Sequence, residues 1–334
     1  MIYKNILFHN VVELIEDDGG FYINRIPESL RLNSNPSVVI GARQASGCEM
    51  RFNLKSKDAK ITLLANGIVE VYQGVFQKSV HLIDNKIVTI PITLPANIEH
   101  LNHLSKGRNL PFDTSLTRVI LPYNGEMKII DIEGDFEPPS KSQLPSLNYL
   151  AYGSSITHGA SAVSSSGTYI MRTATMLGVN LFNLGFGGGA RFENQFADYI
   201  SERDDWDFAS FEIGVNMLHR SDVAEFKERV EYFLWRVHKK HPNKYLFCID
   251  IFPYLKTYIL SDPDKPKKFR KIVKALVKSI NSDKVIHLDG RKFITDISGL
   301  SFDLGHPSLA GMEEIALKLS KEITKKMKYI KKSI

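Results

Sequence analysis

A polar stretch punctuated by prolines, Phe136 to Ser146, divides this sequence between two rhythms that one continuous sheet cannot carry. Pro138, Pro139 and Pro145 each lack a backbone N–H and fix φ, so neither a strand ladder nor a helix runs through them easily. The chain has 334 residues, of which 43% are hydrophobic. That is enough for two cores, since a single core usually stops growing at about 250–300 residues. We place a linker over 137–146, with one domain over 1–140 and a second over 147–334.

Before the linker, short β-rich runs alternate with Asn, Gly and Asp: Lys60 to Ala65, Ile68 to Tyr72, Ser79 to Ile83, Lys86 to Ile90, Leu116 to Leu121 and Met127 to Ile132. This pattern predicts an all-β sandwich. Asn66-Gly67 signals a type I′ hairpin turn, and Asp84-Asn85 a weaker one. No long helical pattern interrupts this half.

Past the linker, helical spacing over Gly167 to Leu177, Val223 to Lys240, Lys267 to Ile280 and Ser308 to Lys328 alternates with apolar runs. Those runs are Leu147 to Tyr152, Leu181 to Leu184, Phe208 to Ile213, Tyr245 to Phe252 and Val285 to Leu288. Such alternation predicts right-handed βαβ units and a parallel sheet flanked by helices, with ligands outside the carboxyl ends of the strands.

The residues at those ends carry chemistry. Gly153-Ser154-Ser155-Ile156-Thr157 follows the first apolar run, and Asp303-Leu304-Gly305-His306-Pro307 precedes the last helix. A serine hydroxyl is a poor nucleophile unless an imidazole takes its proton, and a carboxylate on the other ring nitrogen fixes the tautomer. Ser155, His306 and Asp303 supply those three groups. The oxyanion formed by attack needs donors. The glycine-rich turn after Asn183 offers a bare backbone N–H at Gly188, and Gly214-Val215-Asn216 offers the side-chain amide of Asn216. Each feature alone has a plainer structural use, as a turn, a helix cap or a surface histidine.

In this order the four blocks resemble the SGNH (GDSL-type) hydrolase family, specifically its two-domain members with an N-terminal β-sandwich. The likeness is specific over 147–325. It implies a flavodoxin-like parallel sheet, Ser155 as nucleophile, His306 as base and Asp303 as its orienting acid. It also implies an oxyanion hole of the Ser155 N–H, Gly188 and Asn216. Two departures stand out: Ser154 replaces the usual aspartate, and Gly189 stands where asparagine or aspartate often follows the oxyanion glycine. They call into question the hydrogen bonds that brace the nucleophile loop.

Proximity in sequence to the catalytic strand ends nominates His158, Arg191, Phe192, Glu193, Met217, Leu218 and Tyr254 as substrate contacts. Arg191 and Glu193 could equally pair or cap a helix, and His219-Arg220 fits a solvated face. The expected reaction is hydrolysis of small acyl esters, with O-acetyl groups on a carbohydrate or similar small molecule favoured by the sandwich domain. Acyl transfer to an alcohol uses the same acyl-enzyme and stays open. A non-catalytic sugar-binding protein is the alternative from another class.

The net charge of +6 rests partly on Lys265 to Lys274 and Lys321 to Lys332, which read as helix faces. No nucleic-acid recognition motif accompanies them, so no nucleic-acid partner is expected. Cys48 and Cys248, one in each half, suggest buried thiols and no disulfide framework. No metal or other cofactor is called for. The absence of a signal-like N-terminus or an 18-residue apolar run predicts a cytoplasmic protein without membrane association. Oligomeric state leaves no trace in the sequence.

Overall fold

Two sheets form on either side of the proline-rich segment in a computed structural model that describes residues 1–108, 110–256 and 260–328. The end of the lysine-rich stretch, 329–334, lies outside the described residues.

The first sheet is antiparallel and has 10 strands. They are β1 (Ile2–Tyr3), β2 (Ile6–His9), β3 (Glu13–Asp17), β4 (Gly20–Asn24), β5 (Glu49–Leu54), β6 (Asp58–Gln73), β7 (Phe76–Thr93), β8 (Thr117–Ile120), β9 (Lys128–Glu133) and β10 (Phe136–Glu137). It curls over a core of alternate inward residues such as Phe8, Ile23, Met50, Phe52, Ile61, Leu63 and Ile129, all fully buried. Neither expected hairpin turn forms at its predicted place. β6 and β7 pair along their whole lengths, from Asp58 opposite Thr93 to Gln73 opposite Phe76, with a register shift between Ala65 and Gly67. Gly67 (φ +115°) and Asn85 (φ +44°) spend their left-handed backbone on this irregularity, while the chain reverses at Gly74 (φ +56°) and Val75. A positive-φ signal suits a bulge as well as a turn, and the flanking β-rich runs are long enough to pair straight past it.

The helices of this half are short: α1 (Glu28–Leu32), α2 (Pro36–Gly41) and α3 (Ile98–Lys106). α2 opens with Pro36 in the first turn and Asn35 as its cap, accepting from the Val38 N–H at 3.3 Å. Its Val38, with Ile26 and Ala42, is buried in the core of the other sheet, so one or two apolar contacts per turn were too few to show a helical period.

That second sheet is parallel: β11 (Asn148–Gly153), β12 (Asn180–Gly185), β13 (Phe208–Glu212), β14 (Tyr245–Ile249) and β15 (Val285–Leu288), in the spatial order β12-β11-β13-β14-β15. This is the flavodoxin-like order, whose direction of winding reverses between β11 and β13. After α4 (Ser155–His158) come α5 (Tyr169–Leu177), α6 (Asn194–Glu202), α7 (Val223–Lys240), α8 (Lys265–Ile280) and α9 (Leu309–Lys326). Helix α6 was not foreseen. Alternate strand residues face opposite cores: Leu150 and Tyr152 meet α6, α7 and α8, whereas Tyr149 and Ala151 meet α5 and α9.

The halves are joined by buried polar contacts. The Arg25 guanidinium donates to Asn183 O (2.7 Å), Gly185 O (2.9 Å), Gly41 O (2.6 Å) and Gln44 O (2.7 Å). A fully buried cation is tolerated only when its donors are met in this way. Asn10 reaches Asn183 O as well, at 3.2 Å. Both cysteines are buried free thiols. No helix among the described residues is long and apolar enough to cross a membrane.

Candidate active site

Ser155 stands where β11 ends and α4 begins. The tight approach there requires glycine at 153, since a Cβ at Gly153 would lie 2.3 Å from Thr157 Oγ1. Ser154 caps the short helix by accepting from the Ile156 N–H at 3.1 Å. Its own N–H donates at 2.6 Å to Glu212 Oε2, at the end of β13, and Thr157 Oγ1 reaches the same oxygen at 3.3 Å. Glu212 is buried, and burial pushes its carboxyl above the usual range against these hydrogen bonds. With serine at 154, the carboxylate that braces the nucleophile loop comes from the neighbouring strand β13.

Ser155 Oγ lies 2.7 Å from His306 Nε2, and His306 Nδ1 lies 2.5 Å from Asp303 Oδ2. The turn between them bends through Leu304 at φ +56°. Asp303 Oδ1 accepts from Ser301 Oγ (2.7 Å), the Gly305 N–H (3.0 Å) and the His306 N–H (3.0 Å). Partial burial alone would raise the Asp303 pKa, but the donors from Gly305, the His306 ring and Ser301 hold it well below the carboxylate range. With Asp303 ionised, the imidazole is held in the tautomer that presents a lone pair to the serine hydroxyl.

The glycine turn packs beside this line. A Cβ on Gly187 would meet Ser155 Cβ at 3.5 Å. Gly188 has φ +69° and Gly189 sits against Val38 of α2, where a Cβ would come within 2.8 Å of Val38 Cγ2. Asn35 Nδ2 donates to Gly189 O (2.9 Å) and to Glu193 Oε1 (2.8 Å). Asn216 Nδ2 donates to Phe186 O at 3.2 Å, which fixes which way the amide points and leaves its second N–H for another acceptor.

A cleft of about 210 Å³ opens over Ser155, His306 and Asn216, with Tyr254, His219, Arg220 and Lys256 on its walls. A larger cavity of about 400 Å³, between the first sheet and α5, is lined by Arg51, Arg118, Tyr72 and Phe112 and contains none of these groups.

Of the sequence-nominated contacts, Tyr254 lines the cleft, its hydroxyl 2.8 Å from His219 Nε2. Arg191 turns back to the Gly188 carbonyl at 3.1 Å, and Glu193 is engaged by Asn35. Met217, Leu218 and Phe192 are buried in the core shared with α7. His158 is buried away from the cleft, its nitrogens 2.9 Å from Gly185 O and 2.8 Å from Tyr123 O. Burial, then the charge of Arg25, lowers its pKa to about 4. His219 and Arg220 are exposed, as their reading as a solvated face has it, and they also border the cleft just beyond the turn over Val215–Met217. Glu212, Asn35 and Lys256 were missed. Only Glu212, a lone carboxylate closing a fully buried strand, left a signal that could have been followed.

A doubly wound parallel sheet with serine, histidine and aspartate hydrogen-bonded in line at its carboxyl edge is the arrangement of a serine hydrolase. Residues 148–324 match the GDSL-like lipase/acylhydrolase family model, and the chain belongs to that family as an enzyme of acyl esters. No curated protein sequence matches. Among solved structures it is similar to the salicylyl-acyltransferase SsfX3 of a tetracycline biosynthetic pathway, at 19% identity and TM-score 0.80, covering 96% of this chain and 94% of that one. A putative GDSL-like lipase from Bacteroides ovatus is similar at 18% identity and TM-score 0.71, with 98% of each chain covered. A family two carbohydrate esterase from Clostridium thermocellum follows at 14% identity and TM-score 0.65, covering 97% of this chain and 99% of that one. At these identities the likeness establishes the shared fold, including the β-rich N-terminal half.

Proposed function

We propose that the protein hydrolyses small acyl esters, O-acetyl groups on a carbohydrate or similar molecule among them, through an acyl-enzyme on Ser155. Ser155 Oγ attacks the acyl carbon while its proton passes to His306 Nε2. The oxyanion is met by the N–H groups of Ser155 and Gly188 and by the second N–H of Asn216. Collapse breaks the ester bond, and His306 returns the proton to the departing alkoxide. Water then repeats the attack with His306 as base and releases the acid and free Ser155. The observation that carries this reading is the continuous line from Ser155 Oγ through His306 to Asp303 Oδ2 at the switch point of the sheet. A cleft of about 210 Å³ favours a short acyl chain.

The first domain, 1–140, serves in this reading as a buttress of the cleft as well as a neighbour, because Asn35 and Val38 brace the glycine turn. Transfer to an alcohol is the second reading, supported by the fold shared with the salicylyl-acyltransferase and by an identical first half-reaction. Hydrolysis of p-nitrophenyl esters from acetyl to octanoyl, by the parent and by Ser155→Ala, tests the proposal. Loss of turnover in the variant with an acetyl preference in the parent is expected. Equal rates would remove Ser155 from the mechanism, and dominant ester product with added sugar acceptors would favour transfer.

A further inference from the structure

The walls of the cleft are charged on one side of the balance only. Arg220 and Lys256 line it, and no aspartate or glutamate does so among the described residues. Arg220 forms no ion pair among those residues. Its Nη1 donates to Asn216 O at 3.3 Å, and a Cβ on Gly188 would lie 3.9 Å from Nη2, so the guanidinium sits beside the oxyanion turn. Lys256 Nζ stands 3.6 Å from Asp303 Oδ2. That carboxylate is already engaged by the His306 ring, and its other oxygen by three donors. Lys256 therefore keeps hydrogens to direct into the cleft, on the side where His306 returns a proton to the leaving alcohol. Behind them Arg191 adds a third cation, turned onto the Gly188 carbonyl.

Arg220, without an ion pair among the described residues, and Lys256, whose one carboxylate neighbour Asp303 is already held by the His306 ring and three other donors, set a positive potential on the wall of the concave cleft where the substrate must sit. A neutral ester feels that field only as its oxyanion develops, whereas a substrate that already carries an oxyanionic group forms charge-assisted hydrogen bonds with guanidinium and ammonium on binding. Resting on the esterase reading above, we propose that Arg220 and Lys256 form an anion subsite, and that the natural ester carries a carboxylate or phosphate on its alcohol portion. His219, its ring 2.8 Å from the Tyr254 hydroxyl, lines the same cleft and offers a hydrogen-bonding group for the neutral part of that alcohol.

The test separates binding from turnover. Ser155→Ala is titrated calorimetrically with three acetylated methyl glycosides: a glucuronate, its methyl ester and a glucose 6-phosphate. At low salt at least one anion should bind about tenfold or more tightly than the methyl ester, the scale of charge-assisted pairing at a partly exposed site. Whichever anion binds more tightly identifies the group. The preference should shrink in 0.5 M salt, with about a fivefold or greater loss on adding Arg220→Gln. Equal affinity for all three ligands, or a preference untouched by both salt and Arg220→Gln, would overturn the subsite. Because Ser155→Ala cannot turn over, this result is independent of whether the parent releases acetate, and parent turnover of the methyl ester judges the esterase reading separately.

Discussion

Glu212 Oε2 lies 2.6 Å from the backbone nitrogen of Ser154, so a carboxylate at the end of β13 holds the peptide that presents Ser155 from β11. Glu212→Ala leaves that buried N–H without a partner, which costs about 1–3 kcal/mol. It also frees the loop carrying the nucleophile, and a displacement near 1 Å in such a group costs about 100-fold. We expect kcat for p-nitrophenyl acetate to fall between about 10- and 100-fold with the urea midpoint lowered. A variant with reduced stability and full kcat would limit Glu212 to a structural part.

Asn35 joins the first half of the chain to the glycine turn proposed to hold the oxyanion, through Gly189 O and Glu193. Asn35→Ala removes both bonds and the cap of α2, a loss of about 1 kcal/mol. A kcat about tenfold lower with little change in KM is expected, because the turn serves the transition state more than the ground state. The same contacts predict that a fragment lacking residues 1–140 will fail as an esterase. It exposes the surface against which Val38 and Ala42 are buried, and steady-state kinetics with circular dichroism on that fragment would show it.

Asn216 spends one amide hydrogen on Phe186 O and keeps the other. Asn216→Ala should lower kcat by about 100- to 1000-fold, the usual cost of one oxyanion donor, while KM moves less than tenfold. A variant that raised KM alone would move Asn216 from the oxyanion hole to ground-state binding.

How much of this was readable in the sequence depends on the range of the interaction. Ser155, Gly188, Asn216 and the Asp303-to-His306 turn each lie within a few residues of a predictable strand end or helix start, so local pattern was enough to nominate them. The parallel sheet followed from the alternation of apolar runs with helical spacing. Asn35 and Glu212 act across 154 and 58 residues of separation, on Gly189 and Ser154 respectively, and no local pattern links such pairs. Asn66-Gly67 misled for a related reason: its left-handed backbone was real, but pairing of β6 with β7 on both sides turned the expected reversal into a bulge. His158 misled by position. It follows the nucleophile by three residues, yet its ring is buried with both nitrogens against the carbonyls of Gly185 and Tyr123.

That burial makes His158 a pH-sensitive element of stability. A neutral His158 ring donates to one of two carbonyls, Gly185 O at 2.9 Å from Nδ1 or Tyr123 O at 2.8 Å from Nε2, and the Arg25 guanidinium, 3.4 Å from Nδ1, opposes a second proton. With a folded pKa lowered to about 4 from 6.5, chiefly by burial and next by Arg25, the folded chain binds fewer protons at this ring than the unfolded chain does. Its contribution is therefore complete above pH 6.5 and is lost as pH falls through the window toward 4, amounting to about 3 kcal/mol across it. His158→Gln can still donate to the Tyr123 carbonyl but cannot titrate. Urea unfolding at pH 7.0 and 4.5 should show the parent losing on the order of 2 kcal/mol more than the variant between the two values. Parallel losses in both would place the acid sensitivity in other groups and return His158 to the role of a neutral spacer between Arg25 and Tyr123.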